Sequence, residues 1–382
     1  LWHPAYKTKQ NLLNSSSTVK KDIVVRLFRN GSYNEVLNTL NKMGIKIVDK
    51  TTENSVLATF LVNVEESRIA EIAQIKDVYL MSEHAKKFPK NDLGRVITMA
   101  GSTTLADTVV WSHGVRGLGQ IVNVTDSGMT MGHYAFYDAA VPLTTWGHYP
   151  THRKVIAYLP SPPDFQDTLN FGDEAVNAYH GSHTCGTTIG NDLPNGGTSN
   201  YDGIAKDAKI FFMDAGDLVG DFLWVPLDCY SMFDTMYTYG ARVTSNSYGP
   251  DGTAEWGGAY DEGCQMSDAY VWDHKDFNVH FAAGNDGSAG TISGTACAKN
   301  VFAAGASQSS APASVTTFSS EGPTADGRYG VTALTPGQDI MSVDGGTSGA
   351  TSNYANMDGT SMACPLSAGS AALVRDWLSQ GF

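Results

Sequence analysis

The sequence lacks the features that mark several classes of protein. No apolar run approaches the ~18 residues of a membrane-spanning helix, and the longest candidates, such as residues 278–283, have the length of a strand. The five cysteines include no C-x-x-C pair, which excludes a zinc ribbon. Basic residues are scarce, since 25 Lys and Arg stand against 39 Asp and Glu, and the net charge of −14 argues against a nucleic-acid-binding surface. The 42% of apolar residues instead predict a folded protein with a sizeable core.

The charge divides the chain into two parts. Residues 1–100 carry 15 Lys and Arg against 10 Asp and Glu, whereas residues 101–382 carry 10 against 29. A chain of 382 residues is also long enough for two domains. We therefore predict a basic leading domain and an acidic body, whose opposite charges would attract each other across an interface.

The cysteines leave the redox compartment open. Cys185 and Cys364 lie among small residues in predicted helices, where buried free thiols are expected. A disulfide would have to come from Cys229, Cys264 and Cys297, and the sequence does not choose a pair. The chain begins with neither a Met nor a signal peptide, so we expect a processed form or a fragment.

The leading part predicts a small α+β domain. Four apolar runs have the length of strands, at residues 22–28, 45–49, 55–64 and 78–81. Ser32 and Glu35 form a capping box that predicts a first helix, and apolar spacing at 69–75 predicts a second. The order β-α-β-β-α-β over residues 20–83 is typical of a ferredoxin-like domain. The lysine-rich stretch 84–92 then reads as an exposed linker.

From about residue 91 onward, strand-like and helical segments alternate. The apolar runs of strand length lie at residues 120–125, 154–159, 208–213, 242–245, 278–283 and 301–304. Helical patterns lie between several of them, notably at 222–239 and 259–275. This alternation predicts an α/β fold with a parallel sheet covered by helices. In open parallel sheets, ligands bind where strands end and helices begin, so we expect the reactive residues at those junctions.

Four of these junctions carry polar side chains. One strand ends in Asp126, and His180 opens a helical stretch. A later strand leads to Asn285, and Ser361 opens the last helix. Pro365 follows inside that helix, and we expect it to lie in the first turn, where a missing N–H costs little.

These residue types suit nucleophilic catalysis. A serine hydroxyl is a weak nucleophile until a base removes its proton, and histidine is a base near neutral pH. The residues therefore predict Ser361 as nucleophile, His180 as base and Asp126 as the carboxylate that fixes the imidazole tautomer. The side-chain amide of Asn285 and the backbone N–H of Ser361 would donate to the oxyanion that forms in the reaction.

The segments around these residues resemble those of the subtilisin-like serine proteases, the subtilases. The similar segments are V-T-D-S-G (124–128), H-G-S-H-T-C-G-T (180–187), S-N-S-Y-G (245–249), A-A-G-N-D-G (282–287) and G-T-S-M-A-C-P (359–365). The resemblance covers residues 91–382 and is closest to the oxidatively stable alkaline proteases and their Tag-like relatives. It implies a secreted serine endopeptidase that acts on proteins or peptides through an acyl-enzyme and needs no cofactor for catalysis.

The same resemblance implies an organisation and a substrate site. Subtilases are made with a β-α-β-β-α-β propeptide that inhibits the active site. Residues 1–90 are therefore expected to be an inhibitory propeptide, cleaved near Lys90-Asn91, and residues 91–382 the catalytic domain. Two segments form the walls of the S1 pocket in the family, and here they are Ser247, Tyr248, Gly249, Ala282, Ala283 and Gly284. We place no acidic residue at the pocket floor, so an apolar or broad preference is expected.

Two expectations concern metals. Many subtilases hold structural calcium, and acidic loops of this chain could do so, although no D-x-D-x-D-G spacing is present and the ligands stay unassigned. His183 lies one helical turn after His180, but no third ligand accompanies this pair, so we expect a structural role for His183.

Other readings fit less well. The main alternative is a catalytically silent binding protein on the subtilase fold, and the intact set of Asp126, His180, Asn285 and Ser361 argues against it. An α/β-hydrolase would need G-x-S-x-G and the order Ser-Asp-His, which the sequence does not show. Subtilase domains usually continue past the serine helix, so we expect either that this chain, which ends at Phe382, lacks C-terminal elements of the domain or that its fold closes differently.

Overall fold

A computed structural model shows the chain as two compact units, Leu1–Phe88 and Pro89–Phe382. It describes residues 7–8, 13, 16–51, 53, 58–83, 91–161, 171–175, 178–196, 199–216, 223–226, 228–250, 257–310, 313–345 and 352–381. Most of the predicted linker, residues 84–90, lies outside the described residues. Its last two residues correct the prediction, because Asn91 already begins a helix.

The first unit is a four-stranded antiparallel sheet with two helices. Its elements are β1 (Lys20–Leu27), α1 (Tyr33–Lys42), β2 (Lys46–Lys50), β3 (Thr59–Glu65), α2 (Ile69–Ala73) and β4 (Val78–Glu83). The strand order β2-β3-β1-β4 and the antiparallel pairing are those of the predicted ferredoxin-like unit. Side chains of β3 alternate, with Phe60, Val62 and Val64 buried in the core. This alternation is what a sheet with one covered face requires.

The start of α1 only partly follows the predicted capping box. The hydroxyl of Ser32 accepts the N–H of Glu35 at 3.3 Å, as expected. The N–H of Ser32 donates to the carboxylate of Asp77 at 2.9 Å, so the side chain of Glu35 is not its partner. The carboxylate of Asp77, in the turn before β4, therefore accepts the bond that the side chain of Glu35 would accept in a capping box.

The second unit contains an eight-stranded sheet. Its strands are β5 (Ile121–Asp126), β6 (Gly147–His148), β7 (Val155–Pro160), β8 (Lys209–Asp214), β9 (Val243–Asn246), β10 (Asn278–Ala282), β11 (Phe302–Ser307) and β12 (Ala333–Pro336). The order across the sheet is β12-β11-β10-β9-β5-β8-β7-β6. Every neighbouring pair is parallel except β6 with β7. A separate hairpin joins β13 (Ile340–Val343) to β14 (Tyr354–Met357).

Helices cover both faces of this sheet. The helices of the unit are α3 (Asn91–Ala100), α4 (Val109–Ser112), α5 (His180–Ile189), α6 (Cys229–Thr238), α7 (Glu262–Asp273) and α8 (Thr360–Ser379). Ile189 of α5 and Leu366 of α8 belong to one buried cluster, whereas Phe233 of α6 and Tyr270 of α7 belong to another. The predicted α/β architecture, a parallel sheet with helices on both faces, is confirmed.

Two predicted helices are longer than the observed ones. The segment 222–239 forms a helix only from Cys229, because Asp228 accepts the N–H of Ser231 at 3.0 Å and caps it there. Before that cap, Leu223 pairs with Gly216 as an isolated bridge. The helix predicted at 259–275 is α7, which is capped by the carboxylate of Asp261.

The position of Pro365 corrects another expectation. α8 begins at Thr360, so the proline is the sixth helical residue and lies beyond the first turn. A proline there has no N–H for the carbonyl four residues earlier, which belongs to Ser361. The hydroxyl of Ser247 donates to that carbonyl at 2.8 Å instead, so the helix remains satisfied.

All five cysteines are buried and free. The possible disulfide among Cys229, Cys264 and Cys297 is therefore not formed, and the expected free thiols at Cys185 and Cys364 are observed. Within the described ranges, no helix has the length and apolar character needed to span a bilayer.

Candidate active site

Asp126 and His180 form the best-defined contact of the site. Asp126 is the last residue of β5 and is fully buried, and His180 is the first residue of α5. Oδ1 of Asp126 lies 2.7 Å from Nδ1 of His180 and also accepts the N–H of Ser127 at 2.8 Å. Oδ2 accepts the hydroxyl of Thr184 at 3.0 Å, one turn further along α5. Three donors thus hold the carboxylate so that it faces the imidazole, whose ring stays partly exposed.

Ser361 lies at the second position of α8, where backbone N–H groups have no partner within the helix. Its hydroxyl donates to the carbonyl of Ser247 at 3.2 Å, and the hydroxyl of Ser247 donates back to the Ser361 carbonyl at 2.8 Å. Ser247 follows β9, which lies beside β5 with Asn246 opposite Thr125. The sheet therefore brings Ser361 to the edge that carries Asp126, with its hydroxyl directed to Ser247 rather than to His180.

Asn285 is tied to the start of α8. Its Oδ1 accepts the N–H of Thr360 at 2.8 Å and the hydroxyl of Thr360 at 3.0 Å. Those bonds occupy Oδ1, so Nδ2 is the end of the amide that can donate to a substrate oxygen. A side chain at Gly359 would come within 3.6 Å of Asn285 Nδ2 and 3.5 Å of the Ser361 nitrogen. Both nitrogen atoms therefore border the same small space, as two donors to one oxyanion must.

The two predicted walls of the S1 pocket are tied to this site. Ser247 bonds Ser361 in both directions, and Gly284 donates its N–H to the Thr360 hydroxyl at 3.1 Å. A side chain on Gly249 would lie 2.0 Å from the hydroxyl of Ser293, so this position is closely packed. The ring of Tyr248 packs edge-on to Phe281 at 5.9 Å between centroids, with its hydroxyl bonded to Asn246 Oδ1 at 3.1 Å.

Ala282 and Ala283 belong to the sheet as much as to a pocket wall. Both are buried, and the N–H of Ala283 donates to the Ala304 carbonyl at 3.0 Å. The carbonyl of Ala283 accepts the N–H of Ser293 at 2.8 Å. The backbone of Ala283 is thus already occupied on both sides.

His183 has a structural environment. Its Nε2 lies 2.9 Å from the Ile340 carbonyl and 3.1 Å from the Ala355 carbonyl, so it donates to both strands of the β13–β14 hairpin. Burial lowers the pKa of His183 to about 4, which keeps the ring neutral at physiological pH. Within the part of the chain that the structure describes, no group of three or more His, Cys, Asp or Glu could hold a metal ion.

Asp173 is a further polar residue near the Asp126–His180 pair, and no sequence pattern predicts it. Its carboxylate contacts Ser127 Oγ at 3.0 Å and the N–H of Ser182 at 2.7 Å. Burial raises the pKa of Asp173 to about 7, with a further contribution from the charge of Asp126. No local sequence pattern marks a functional carboxylate seven residues before His180, because its partners, Ser127 and Ser182, come from two other segments.

The comparison with protein families agrees with these segments. The profile described as the subtilase family matches residues 117–380, more than half of the chain. A serine protease/ABC transporter B family protein of Dictyostelium discoideum, tagD, is 32% identical over 198 residues, which are 51% of this chain and 10% of that protein. The tagA protein of the same organism is 28% identical over 252 residues, 63% of this chain and 13% of its own. The chain thus spans about a tenth of the length of these relatives.

Solved structures share the fold at low identity. Fervidolysin from Fervidobacterium pennivorans, a keratinolytic enzyme related to subtilisin, has a TM-score of 0.56 and 20% identity, and the similarity covers 100% of this chain and 58% of that one. The prenylagaramide maturation protease PagA has a TM-score of 0.51 and 20% identity, covering 72% and 81%. These similarities concern the architecture alone.

Proposed function

Because the chain belongs to the subtilase family of serine endopeptidases, we propose that residues 91–382 hydrolyse peptide bonds through an acyl-enzyme formed on Ser361. The observation that carries this proposal is the 2.7 Å contact between buried Asp126 and His180, on the sheet edge to which Ser361 is also anchored. A carboxylate bonded to Nδ1 leaves Nε2 of the imidazole as the base.

The first chemical step is a proton transfer within this site. The Ser361 hydroxyl turns from the Ser247 carbonyl to His180 when substrate binds, since catalytic hydrogen bonds often form only in that complex. His180 Nε2 takes the proton as Oγ attacks the substrate carbonyl carbon, and Asp126 stabilises the imidazolium that results. The imidazolium then gives the proton to the leaving amine, and water repeats the sequence to release the acid.

The tetrahedral oxyanion is stabilised by Asn285 Nδ2 and the N–H of Ser361. The bonds from Thr360 to Asn285 Oδ1 keep the amide preorganised, so little reorganisation is needed during the reaction. Ser247–Gly249 and Ala282–Gly284 flank the P1 side chain of the substrate in this proposal, because Ser247 and Gly284 are bonded to the first turn of α8, which carries the nucleophile.

We propose that the first unit is an inhibitory propeptide and that the chain is a proenzyme. The support is the element order of the unit and the charge difference, with 15 Lys and Arg against 10 Asp and Glu in residues 1–100 and 10 against 29 in the rest. Cleavage near Lys90-Asn91 would release α3 as the new N-terminus.

Location and ions belong to the same proposal. We place the protein outside the cytoplasm, as expected for a secreted proenzyme, with protein substrates and no nucleic-acid partner, which the acidic body supports. Structural calcium remains a proposal without assigned ligands, since the described side chains supply no metal cluster. It enters no step of the mechanism.

Intact mass over time tests the proposal. The purified chain and a Ser361→Ala variant are incubated alone and with unfolded casein. We expect the parent to split once between residues 84 and 95 and to degrade casein, whereas the variant does neither. Both proteins should first give a cooperative thermal transition, so that a failure to react is not a failure to fold.

The outcomes separate three readings. Casein hydrolysis without the self-cleavage supports the peptidase and contradicts the propeptide. A folded parent that neither splits nor degrades casein favours the alternative, a catalytically silent binding protein. Self-cleavage that persists in Ser361→Ala contradicts the assignment of the nucleophile.

A further inference from the structure

The helix that carries His180 begins without a cap of its own. Tyr179 occupies the cap position with left-handed backbone angles, φ 55° and ψ 35°, and its side chain makes no capping bond. Ala178 also has a positive φ of 51°. Neither residue is a glycine, so this entry into α5 is strained and must be held by other contacts. The first-turn N–H groups also need acceptors from elsewhere.

Asp173 supplies those acceptors. Its Oδ2 accepts the N–H of Ser182, the third helical residue, at 2.7 Å. Its Oδ1 accepts the hydroxyl of Ser127 at 3.0 Å, and that hydroxyl oxygen accepts the N–H of Gly181, the second helical residue, at 2.9 Å. These are the two N–H groups that a capping side chain normally binds, directly in one case and through Ser127 in the other.

Ser127 links this cap to the triad carboxylate. It follows Asp126 directly, and its N–H donates to Asp126 Oδ1, the atom that contacts His180. The Asp173 carboxylate therefore bonds on both sides of the Asp126–His180 contact. It binds Ser182 in the helix that bears His180, and it binds Ser127, the residue after Asp126.

Backbone packing keeps these segments together. A side chain on Gly128 would lie 2.2 Å from the carbonyl oxygen of Gly172, and one on Gly181 would lie 2.1 Å from that of Gly128. The segment that bears Asp173, the turn after β5 and the start of α5 thus touch through glycines. Because these contacts join backbone to backbone, we expect a displacement of Asp173 to move the start of α5 as well.

We propose that Asp173 is a positioning residue that fixes His180 against Asp126 by capping α5. It touches neither substrate nor the reacting atoms, and its effect is exerted through the first turn of the helix. The catalytic consequence rests on the function proposed above, whereas the structural consequence does not. Outer partners that orient metal ligands typically change affinity or activity by about 10–100-fold when removed, and we expect an effect of similar size here.

Four variants of the full chain test this role. Asp173→Ala removes both acceptors, Asp173→Asn keeps one of them, and Ser127→Ala removes only the link to Gly181. Asp261→Ala is the matched control, because Asp261 caps α7 through the N–H of Cys264 at 2.8 Å in a helix that bears no triad residue. Each is compared with the parent by kcat and KM per active site, titrated with a covalent serine inhibitor.

We expect kcat to fall about 10–100-fold in Asp173→Ala with KM nearly unchanged, to recover in large part in Asp173→Asn, and to fall less in Ser127→Ala. Asp261→Ala should lower the melting temperature and leave kcat unchanged. Equal kcat in Asp173→Ala and the parent, or the same loss in Asp261→Ala, would overturn the proposal. If Asp173→Ala does not fold, Asp173→Asn and Ser127→Ala must still show the graded loss.

A readout without catalysis separates this proposal from the proposed function. In the Ser361→Ala background, the proton of the 2.7 Å bond between His180 Nδ1 and Asp126 should give a low-field resonance in the proton NMR spectrum. We expect Asp261→Ala to leave it in place and Asp173→Ala to shift or broaden it. An unchanged resonance in Asp173→Ala contradicts the positioning role, even if the parent proves to be an active peptidase.

Discussion

The two units differ in the kind of side chain that they bury. In β3 of the first unit, buried Phe60, Val62 and Val64 alternate with partly exposed residues. In β9 of the second unit, all four residues are buried, and three of them are Thr244, Ser245 and Asn246. Among the described residues of the first unit, Lys7 is the one buried polar or charged side chain, whereas the second unit buries dozens.

Buried polar groups need partners, so the second unit carries an internal network. The hydroxyl of Thr244 donates to Asn123 Oδ1 at 2.7 Å, and Asn123 Nδ2 donates to the Phe211 carbonyl at 3.0 Å. The amide of Asn246 donates to the His280 carbonyl at 2.9 Å. Such networks specify one arrangement at a desolvation cost, whereas an apolar core specifies mainly shape and volume. Changes to the polar groups around the Asp126–His180 pair and Ser361 should therefore affect chemistry, whereas changes to the apolar core of the first unit should affect stability.

Ser361→Ala should give the largest effect. Removing the nucleophile is expected to lower kcat by roughly 10⁵–10⁶-fold and to leave the thermal transition nearly unchanged. Casein hydrolysis with and without the substitution measures this. Ser370→Ala, further along the same helix, is the matched control and should keep full activity. Residual activity above about 1% of the parent contradicts the assigned nucleophile.

Asn285→Ala should give the next largest effect on rate. Loss of one oxyanion donor is expected to lower kcat about 10²–10³-fold with a small change in KM. Asn278→Ala is the control, because Asn278 is exposed at the opposite end of β10. A rise in KM with kcat unchanged would assign Asn285 to substrate binding instead.

Leu40→Ala tests the prediction that the apolar core of the first unit determines stability rather than chemistry. Leu40 is fully buried in the core of the first unit, so its truncation should lower the free energy of unfolding of that unit by about 2–5 kcal/mol. We expect kcat per titrated active site to stay the same. Denaturant titration followed by hydrogen exchange of the first unit measures the loss, and a changed kcat would contradict the separation of the two roles.

His183→Gln should give the smallest effect, visible in the pH dependence of stability. Because the pKa of His183 is about 4 in the fold and near 6.5 when exposed, the unfolded chain binds a proton first as pH falls. The buried ring therefore lowers the free energy of unfolding of the parent by up to about 3 kcal/mol as the pH falls from 6.5 to 4, and it has no such effect above that range. Glutamine keeps an N–H donor and does not titrate. The stability of the variant should fall less steeply with acid, and parallel curves would contradict the burial effect.

The sequence could predict those features that local patterns encode. Asp126, His180, Asn285 and Ser361 each lie in a short motif near the end of a strand or the start of a helix, and the parallel sheet follows from alternating apolar runs. The sequence does not locate the helix starts at Cys229 and Glu262, because the helical pattern continues on the N-terminal side of the residues that cap these helices.

Other features depend on partners that are distant along the chain. The bond from Ser32 to Asp77 spans 45 residues, and that from Ser247 to the carbonyl freed by Pro365 spans 114. Asp173 reaches Ser127 across 46 residues. No single-sequence pattern records such pairs, because each side chain is satisfied only after the fold brings the segments together.

Covalent labelling by a fluorophosphonate tests the central claim most directly. The reagent phosphonylates a serine only where a base and an oxyanion site activate it, so it reports the assembled triad without a substrate. Peptide mapping by mass spectrometry should find one adduct, on Ser361, in the parent and in Asn278→Ala. His180→Ala should show none. An adduct on another serine, or none in a demonstrably folded parent from which residues 1–90 have been removed, would contradict the assignment of this site as an active serine endopeptidase.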